Sequence, residues 1–279
     1  MLGLDISEHN AYIDFSKMKR EKPEIEFFII RLGWVGNKSN HTMDRYFEDY
    51  YKNAKTNGYK VGVYIYNYCK TLGAMQNECE WILEKIKGKS FELPIYIDQE
   101  DSTIISSGKS TLTTMTKYFC NFFKNYGYES GVYANSNWFK NYLNYEELKQ
   151  YNIWLAEWST KLSFKGKVDI WQYSSKYMIN GKRFDVNRIL SNINYTQPVE
   201  NNVDKKEMEV YVEMKQYKNG TTKEPVYSDT ALSHMIGCLN PHETCNCLGI
   251  VDGRPIVEYK VDNSLNHKVG FVRWIGGVQ

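Results

Sequence analysis

At 279 residues the chain is long enough for a single barrel, or for a large domain followed by a small one. An apolar share of 42% without any low-complexity block excludes a disordered protein, and a net charge of +2 without a basic, aromatic-interleaved run gives no footprint for nucleic acid. Met1-Leu2-Gly3-Leu4-Asp5 has neither the basic nor the apolar region of a signal peptide, and no apolar run approaches a membrane span, so the expectation is a protein made soluble in the cytoplasm.

Short apolar runs predict strands at Leu2–Ser7, Phe27–Gly33, Val61–Tyr68, Pro94–Asp98 and Gly131–Asn135. Amphipathic stretches at Phe15–Lys22, Asp44–Asn57, Ala74–Lys87, Thr111–Tyr126 and Asn137–Tyr151 predict the helices between them, and Asn57-Gly58, Gly88 and Gly127 are stop signals. Five βα units in a row imply a parallel sheet. Three more strands, Ile153–Trp158, Val168–Tyr173 and Arg183–Val186, follow with no room for helices. The expectation is an α/β fold: a TIM-like barrel of eight strands and about five helices.

The fourth strand runs straight into Asp98, Gln99, Glu100 and Asp101. The i, i+2 spacing puts Asp98 and Glu100 on one face, with Gln99 on the other. Two adjacent carboxylates drive their proton affinities apart, so that one stays protonated while the other ionises, as glycosidic bond cleavage requires. The alternative is a strand ending in a solvated acidic turn. Barrels of this kind work at their C-terminal strand ends. Asp5 near the end of the first strand and Asp185 in the last are therefore expected to meet Asp98 and Glu100 at one mouth.

After Val186 the pattern breaks. Residues 192–204 read as a linker without periodicity, and the remainder carries short strand-like pieces at Glu209–Lys215, Pro225–Tyr227, Cys247–Val251, Ile256–Val261 and Lys268–Trp274. Asn219-Gly220 and Asp252-Gly253 are turns, and the module fits a small β-barrel. The division is 1–193, a linker at 194–205, and an all-β module at 206–279. Of six cysteines, Cys69, Cys79 and Cys120 lie in apolar patterns as buried thiols. Cys238, His242, Cys245 and Cys247 cluster with a spacing that matches no standard zinc pattern, so no metal is assigned.

Seven motifs in order carry a family resemblance: Gly3-Leu4-Asp5-Ile6-Ser7, Phe28-Ile29-Ile30-Arg31, Gly62-Val63-Tyr64-Ile65-Tyr66, Ile97-Asp98-Gln99-Glu100, Trp154-Leu155-Ala156-Glu157-Trp158, Trp171-Gln172-Tyr173 and Phe184-Asp185-Val186-Asn187. Over Met1 to Ile193 the chain resembles glycoside hydrolase family 25, the Chalaropsis-type lysozymes. The resemblance implies an N-acetylmuramidase that cuts the β-1,4 bond from N-acetylmuramic acid to N-acetylglucosamine in peptidoglycan. It implies Glu100 as general acid, Asp98 as its partner carboxylate, and Asp5 and Asp185 as acids that line the cleft and tune the pair. Substrate contacts are expected from Tyr64, Tyr66, Tyr133, Arg31, Asn135, Trp154 and Gln172, with barrel packing as the alternative for each. Trp158 stands where the family often has Tyr. No cofactor is implied.

The C-terminal module resembles bacterial SH3-type wall-binding domains through Val269-Gly270-Phe271-Val272-Arg273-Trp274. Its candidate contacts with peptidoglycan are Tyr227, Tyr259, Phe271 and Trp274, each also a candidate for core. The combination implies a phage endolysin, made in the cytoplasm of an infected host and acting on the Gram-positive wall after release. The competing readings are a catalytically inactive wall-binding lectin and a glycosidase acting on chitin or another N-acetylated glycan.

Overall fold

The structure, a computed structural model, describes residues 1–37, 40–191, 216–228, 231–251, 254–260 and 267–273. Eight strands close a barrel: β1 (Leu2–Ile6), β2 (Ile25–Asn37), β4 (Lys60–Asn67), β5 (Ile95–Asp98), β6 (Ser130–Asn135), β7 (Asn152–Ala156), β8 (Ile170–Ile179) and β9 (Lys182–Ile189). A further strand, β3 (Asn40–Met43), pairs back on β2 as a hairpin outside the ring. Closure rests on β1, which pairs with β2 on one side and β9 on the other.

Six neighbouring pairs are parallel, but β9 runs antiparallel to both β8 and β1. The parallel order expected from the βα units thus holds as far as β8. Asn180-Gly181, both with positive φ, form the two-residue turn that sends the chain straight back. Asp185 consequently sits mid-strand, directly opposite Asp5 in register.

The helices pack outside the ring. In α3 (Leu72–Ile86) the Thr71 hydroxyl caps the N-terminus, and Leu72, Met75, Cys79, Ile82 and Ile86 fall on one buried face. In α4 (Lys109–Asn125) Leu112, Met115, Phe119, Cys120 and Phe123 do the same. The first two helices, α1 (Phe15–Glu21) and α2 (Phe47–Thr56), follow β1 and β3. The single helix expected over Asn137–Tyr151 is two, α5 (Ser136–Asn141) and α6 (Tyr145–Leu148). No helix among the described residues is long and apolar enough to cross a membrane.

Alternation along the strands separates two cores. Leu4, Phe28, Ile30, Val63, Ile97, Val132 and Leu155 face the helices. Phe27, Ile29, Tyr96, Tyr133, Trp154 and Ile170 fill the interior. Glycines make room for those rings: a Cβ on Gly3 would lie 2.4 Å from the Phe27 ring, and one on Gly131 2.7 Å from Tyr96. With both faces buried, strands read as nearly continuous apolar runs, which is why they were visible in the sequence.

A second sheet holds β10 (Gln216–Lys218), β11 (Glu224–Tyr227), β12 (Met235–Leu239), β13 (Thr244–Val251), β14 (Arg254–Lys260) and β15 (His267–Phe271), all paired antiparallel. Four of the five strand-like pieces anticipated here correspond to β11, β13, β14 and β15, while Glu209–Lys215 and the linker at 194–205 lie outside the described residues. The short β10 and the partly exposed β12 were not anticipated. Tyr217, Val226, Leu239, Cys245, Cys247, Val257 and Tyr259 form its core. Cys238 is exposed on β12, apart from the buried Cys245 and Cys247. Among the described residues no group of three or more His, Cys, Asp or Glu is placed to hold a metal ion.

Candidate active site

Along four barrel strands the inward positions change from apolar to polar toward one end. Phe27 and Ile29 lead to Arg31, Tyr96 to Asp98, Ile170 to Gln172, and Gly3 to Asp5. The polar ends enclose a cleft of about 310 Å³, and Asp5, Asp98, Glu100 and Asp185 all line it.

The carboxylate pair is set by the residue between its members. β5 ends at Asp98, and Gln99 turns outward, fully buried, with Oε1 accepting from Asn67 Nδ2 (3.0 Å) and Nε2 donating to Thr116 Oγ1 of α4 (2.9 Å). Its backbone N–H still donates to Tyr133 O (2.9 Å), which extends the β5–β6 pairing past the strand end. Anchored this way, Gln99 returns Glu100 to the cleft side. Asp101 is bound up elsewhere. Its Oδ1 caps a 3-10 turn at Ser102–Ser107 by accepting from Thr103 N (2.8 Å), and its Oδ2 accepts from the Tyr66 hydroxyl (3.1 Å).

All four acids bind protons more tightly than ordinary carboxylates. Burial is the chief cause for Asp98, reinforced by Glu100 and Asp5 and opposed by Arg31. Burial also raises Glu100, and Asp185 and Asp101 add repulsion. Asp5 is pushed up to about 7 by burial and then by Asp185, against hydrogen bonds from Asn187 and Gln172. Burial raises Asp185 as well. Asp98 is only 3% exposed, and its Oδ1 accepts no hydrogen bond from any described residue.

The other expected contacts divide into three groups. Tyr64, Tyr66 and Tyr133 line the cleft, Tyr64 edge-on to Trp154 with centroids 5.8 Å apart. Arg31, Trp154 and Gln172 also line it, but their polar groups are already engaged: Arg31 donates to Asp44 Oδ2 (2.9 Å) and Glu8 Oε1 (3.0 Å), Trp154 to Asn187, and Gln172 to Asp5. Asn135 is not in the cleft. The strand ends there, and its side chain instead caps α5 by accepting from Trp138 N (3.1 Å).

Sequence reasoning passed over Ser7, His9, Asn10 and Arg183, which line the cleft too. The first three follow β1, where the strand-end rule points. Arg183 stands two residues before Asp185, on the same strand face. In the second sheet Tyr259 is buried in the sheet's own core and Phe271 on the other face, in the cluster that holds the barrel core, while Tyr227 is half-buried. Trp274 lies outside the described residues.

The profile of the glycosyl hydrolases family 25 matches residues 4–182. The chain belongs to this family. A curated relative, the autolytic lysozyme of Clostridium acetobutylicum, is 26% identical over 184 residues, 65% of this chain and 52% of that protein. The chain thus spans about half the length of that relative. Among solved structures, the modular autolysin LytC of Streptococcus pneumoniae superposes with a TM-score of 0.59 at 24% identity, over 67% of this chain and 46% of that one. A family 25 hydrolase of Bacillus anthracis gives 0.57 at 24%, covering 71% and 94%. The catalytic domain of the ply40 endolysin from bacteriophage P40 of Listeria monocytogenes gives 0.58 at 24%, covering 68% and 93%. These superpositions identify the closed barrel as the family 25 fold.

Proposed function

We propose that this family 25 barrel hydrolyses peptidoglycan at the β-1,4 bond between N-acetylmuramic acid and N-acetylglucosamine. The observation that carries the reading is the convergence of four proton-binding carboxylates in one cleft, with a buried acceptor left open on Asp98. The curated relative, an autolytic lysozyme, supports the same substrate.

Glu100, less buried than Asp98, is the general acid: burial keeps its proton in place until the leaving glycosidic oxygen takes it. Asp98 accepts the N–H of the substrate's 2-acetamido group and turns the acetamido oxygen toward the anomeric carbon. That oxygen bonds to the carbon as the glycosidic bond breaks and the Glu100 proton passes to the departing oxygen. The ring so formed keeps its N–H on the Asp98 carboxyl. Water then attacks the same carbon as its bond to the acetamido oxygen breaks, one water proton passes to Glu100, and the product keeps its configuration. Asp5 and Asp185 tune the charge of the pair. Inverted product would exclude this route.

In the same reading, residues 1–193 form the catalytic domain, 194–205 a linker and 206–279 an SH3-like module that holds a stem peptide or cross-bridge of the wall and raises local substrate concentration. The whole is an endolysin made in the cytoplasm of an infected Gram-positive cell. Mass spectrometry of peptidoglycan digests tests the bond: new reducing ends on muramic acid are expected, and ends on glucosamine refute it. Faster cleavage of chitin would favour the broader glycosidase, and wall binding without loss of turbidity the inactive lectin.

A further inference from the structure

One carboxylate oxygen in the cleft, Asp5 Oδ2, is enclosed by two side-chain amides. Asn187 Nδ2 donates to it over 2.7 Å and Gln172 Nε2 over 2.9 Å. An amide turned the other way would set its oxygen against the carboxylate. Indole N–H groups, which can only donate, prevent that turn. Trp154 Nε1 donates to Asn187 Oδ1 (2.8 Å), and Trp158 Nε1 donates to Gln172 Oε1 (3.0 Å), where the Tyr133 hydroxyl adds a second donor (3.2 Å). Asn187 is fully buried and Gln172 and Trp154 nearly so, which shields these bonds from water.

We propose that Trp154–Asn187 and Trp158–Gln172 are two positioning arms that fix Asp5 Oδ2 as a permanent acceptor and leave Oδ1 as the oxygen that takes up and releases a proton in the cleft. Neither arm touches the reacting bond; each acts through Asp5. Trp154 and Gln172, expected to contact sugar, spend their polar groups here instead. Trp158, which is 63% exposed, is tied through its one side-chain polar atom to Gln172, although solvent covers most of its ring. The groups facing Asp5 are Asp185 from β9, Asp98 and Glu100 from the end of β5, Tyr64 from β4, and Tyr133 from β6, with Arg31 of β2, Arg183 of β9 and His9 after β1 lining the same cleft. Against that acidic company, two N–H donors on one oxygen favour the ionised form and oppose the upward push of burial.

The bearing on catalysis rests on the reading of the cleft given above, whereas the titration of Asp5 does not. The test is a carboxyl-carbon NMR titration of the full chain, with the Asp5 signal identified by its absence in Asp5→Asn. Gln172→Met keeps the volume and removes the donor, and it should raise the Asp5 midpoint by about one pH unit. Trp158→Phe removes only the indole N–H at an exposed position where folding is not at risk, and should raise the midpoint by about half as much, since Tyr133 still holds the amide. Trp158→Tyr, whose hydroxyl can donate, should restore it. An Asp5 midpoint unmoved by both Gln172→Met and Trp158→Phe overturns the proposal, whatever the enzyme's activity. If Gln172→Met does not fold, an unmoved midpoint in Trp158→Phe is enough to overturn it.

Discussion

The two ends of the barrel interior are built from the same strands, two residues apart, and behave as opposite materials. At one end Ile29, Tyr96 and Ile170 bury apolar surface and are fully sequestered. At the other, Arg31, Asp98 and Gln172 occupy inward positions further along each strand, the step from one inward position to the next being about 7 Å. The apolar end has only to be filled. The polar end must have each charge and amide matched, and at Asp98 Oδ1 a buried acceptor is left without a donor among the described residues. The lesson is that the site is the last layer of the core with its chemistry exchanged, so stability and activity are separable by position along a single strand.

Substitutions at the two ends should break along that line. Glu100→Gln should lower turnover on peptidoglycan by about 10³-fold or more while leaving the melting temperature unchanged; substantial retained activity would remove Glu100 from the acid role. Tyr96→Ala, at the inward position just below Asp98, should do the reverse, costing about 3–5 kcal/mol in denaturant unfolding from the cavity it leaves. Asp5→Asn sharpens the contrast through pH. Folded Asp5 holds its proton to about 7 against 3.8 for the ordinary side chain, so the folded state binds the extra proton between those values. Stability therefore falls as pH rises through that window, by on the order of 4 kcal/mol. Asp5→Asn should flatten the decline, as read from urea midpoints at both ends of the window, and an unchanged slope would place the shift elsewhere. Tyr96→Phe is the mildest test: the Tyr96 hydroxyl is buried without a partner among the described residues, so its removal should be neutral or add about 1 kcal/mol.

The strands of the barrel were legible because burial on both faces writes them as apolar runs, and the Asp98–Glu100 pair because acids directly after such a run are conspicuous. β3 was not, since Asn-His-Thr-Met carries no alternation and owes its pairing to the hairpin with β2. The reversal of β9 had a signal, Asn180-Gly181, in the residues that favour a two-residue hairpin turn. Asn135 looked like a cleft residue because the strand period was carried one step too far; Asn followed by a helical pattern is equally a cap. The amide network around Asp5 could not be read at all, because its members lie far apart in sequence: Gln172 is 167 residues from Asp5, and Asn187 is 182.

That separation has a consequence for the order of events during synthesis. β1 emerges first and must wait for β9, nearly the whole barrel later, before one of its edges is paired. Closing so long a loop is slow relative to local pairing, though its entropic cost grows only logarithmically with length. The closing strand is also the one that brings Asp185 opposite Asp5 and delivers Asn187. A nascent or truncated chain that stops short of Asp185 therefore has an open sheet edge and an incomplete acid cluster together, and the ring and its cleft are finished by the same strand.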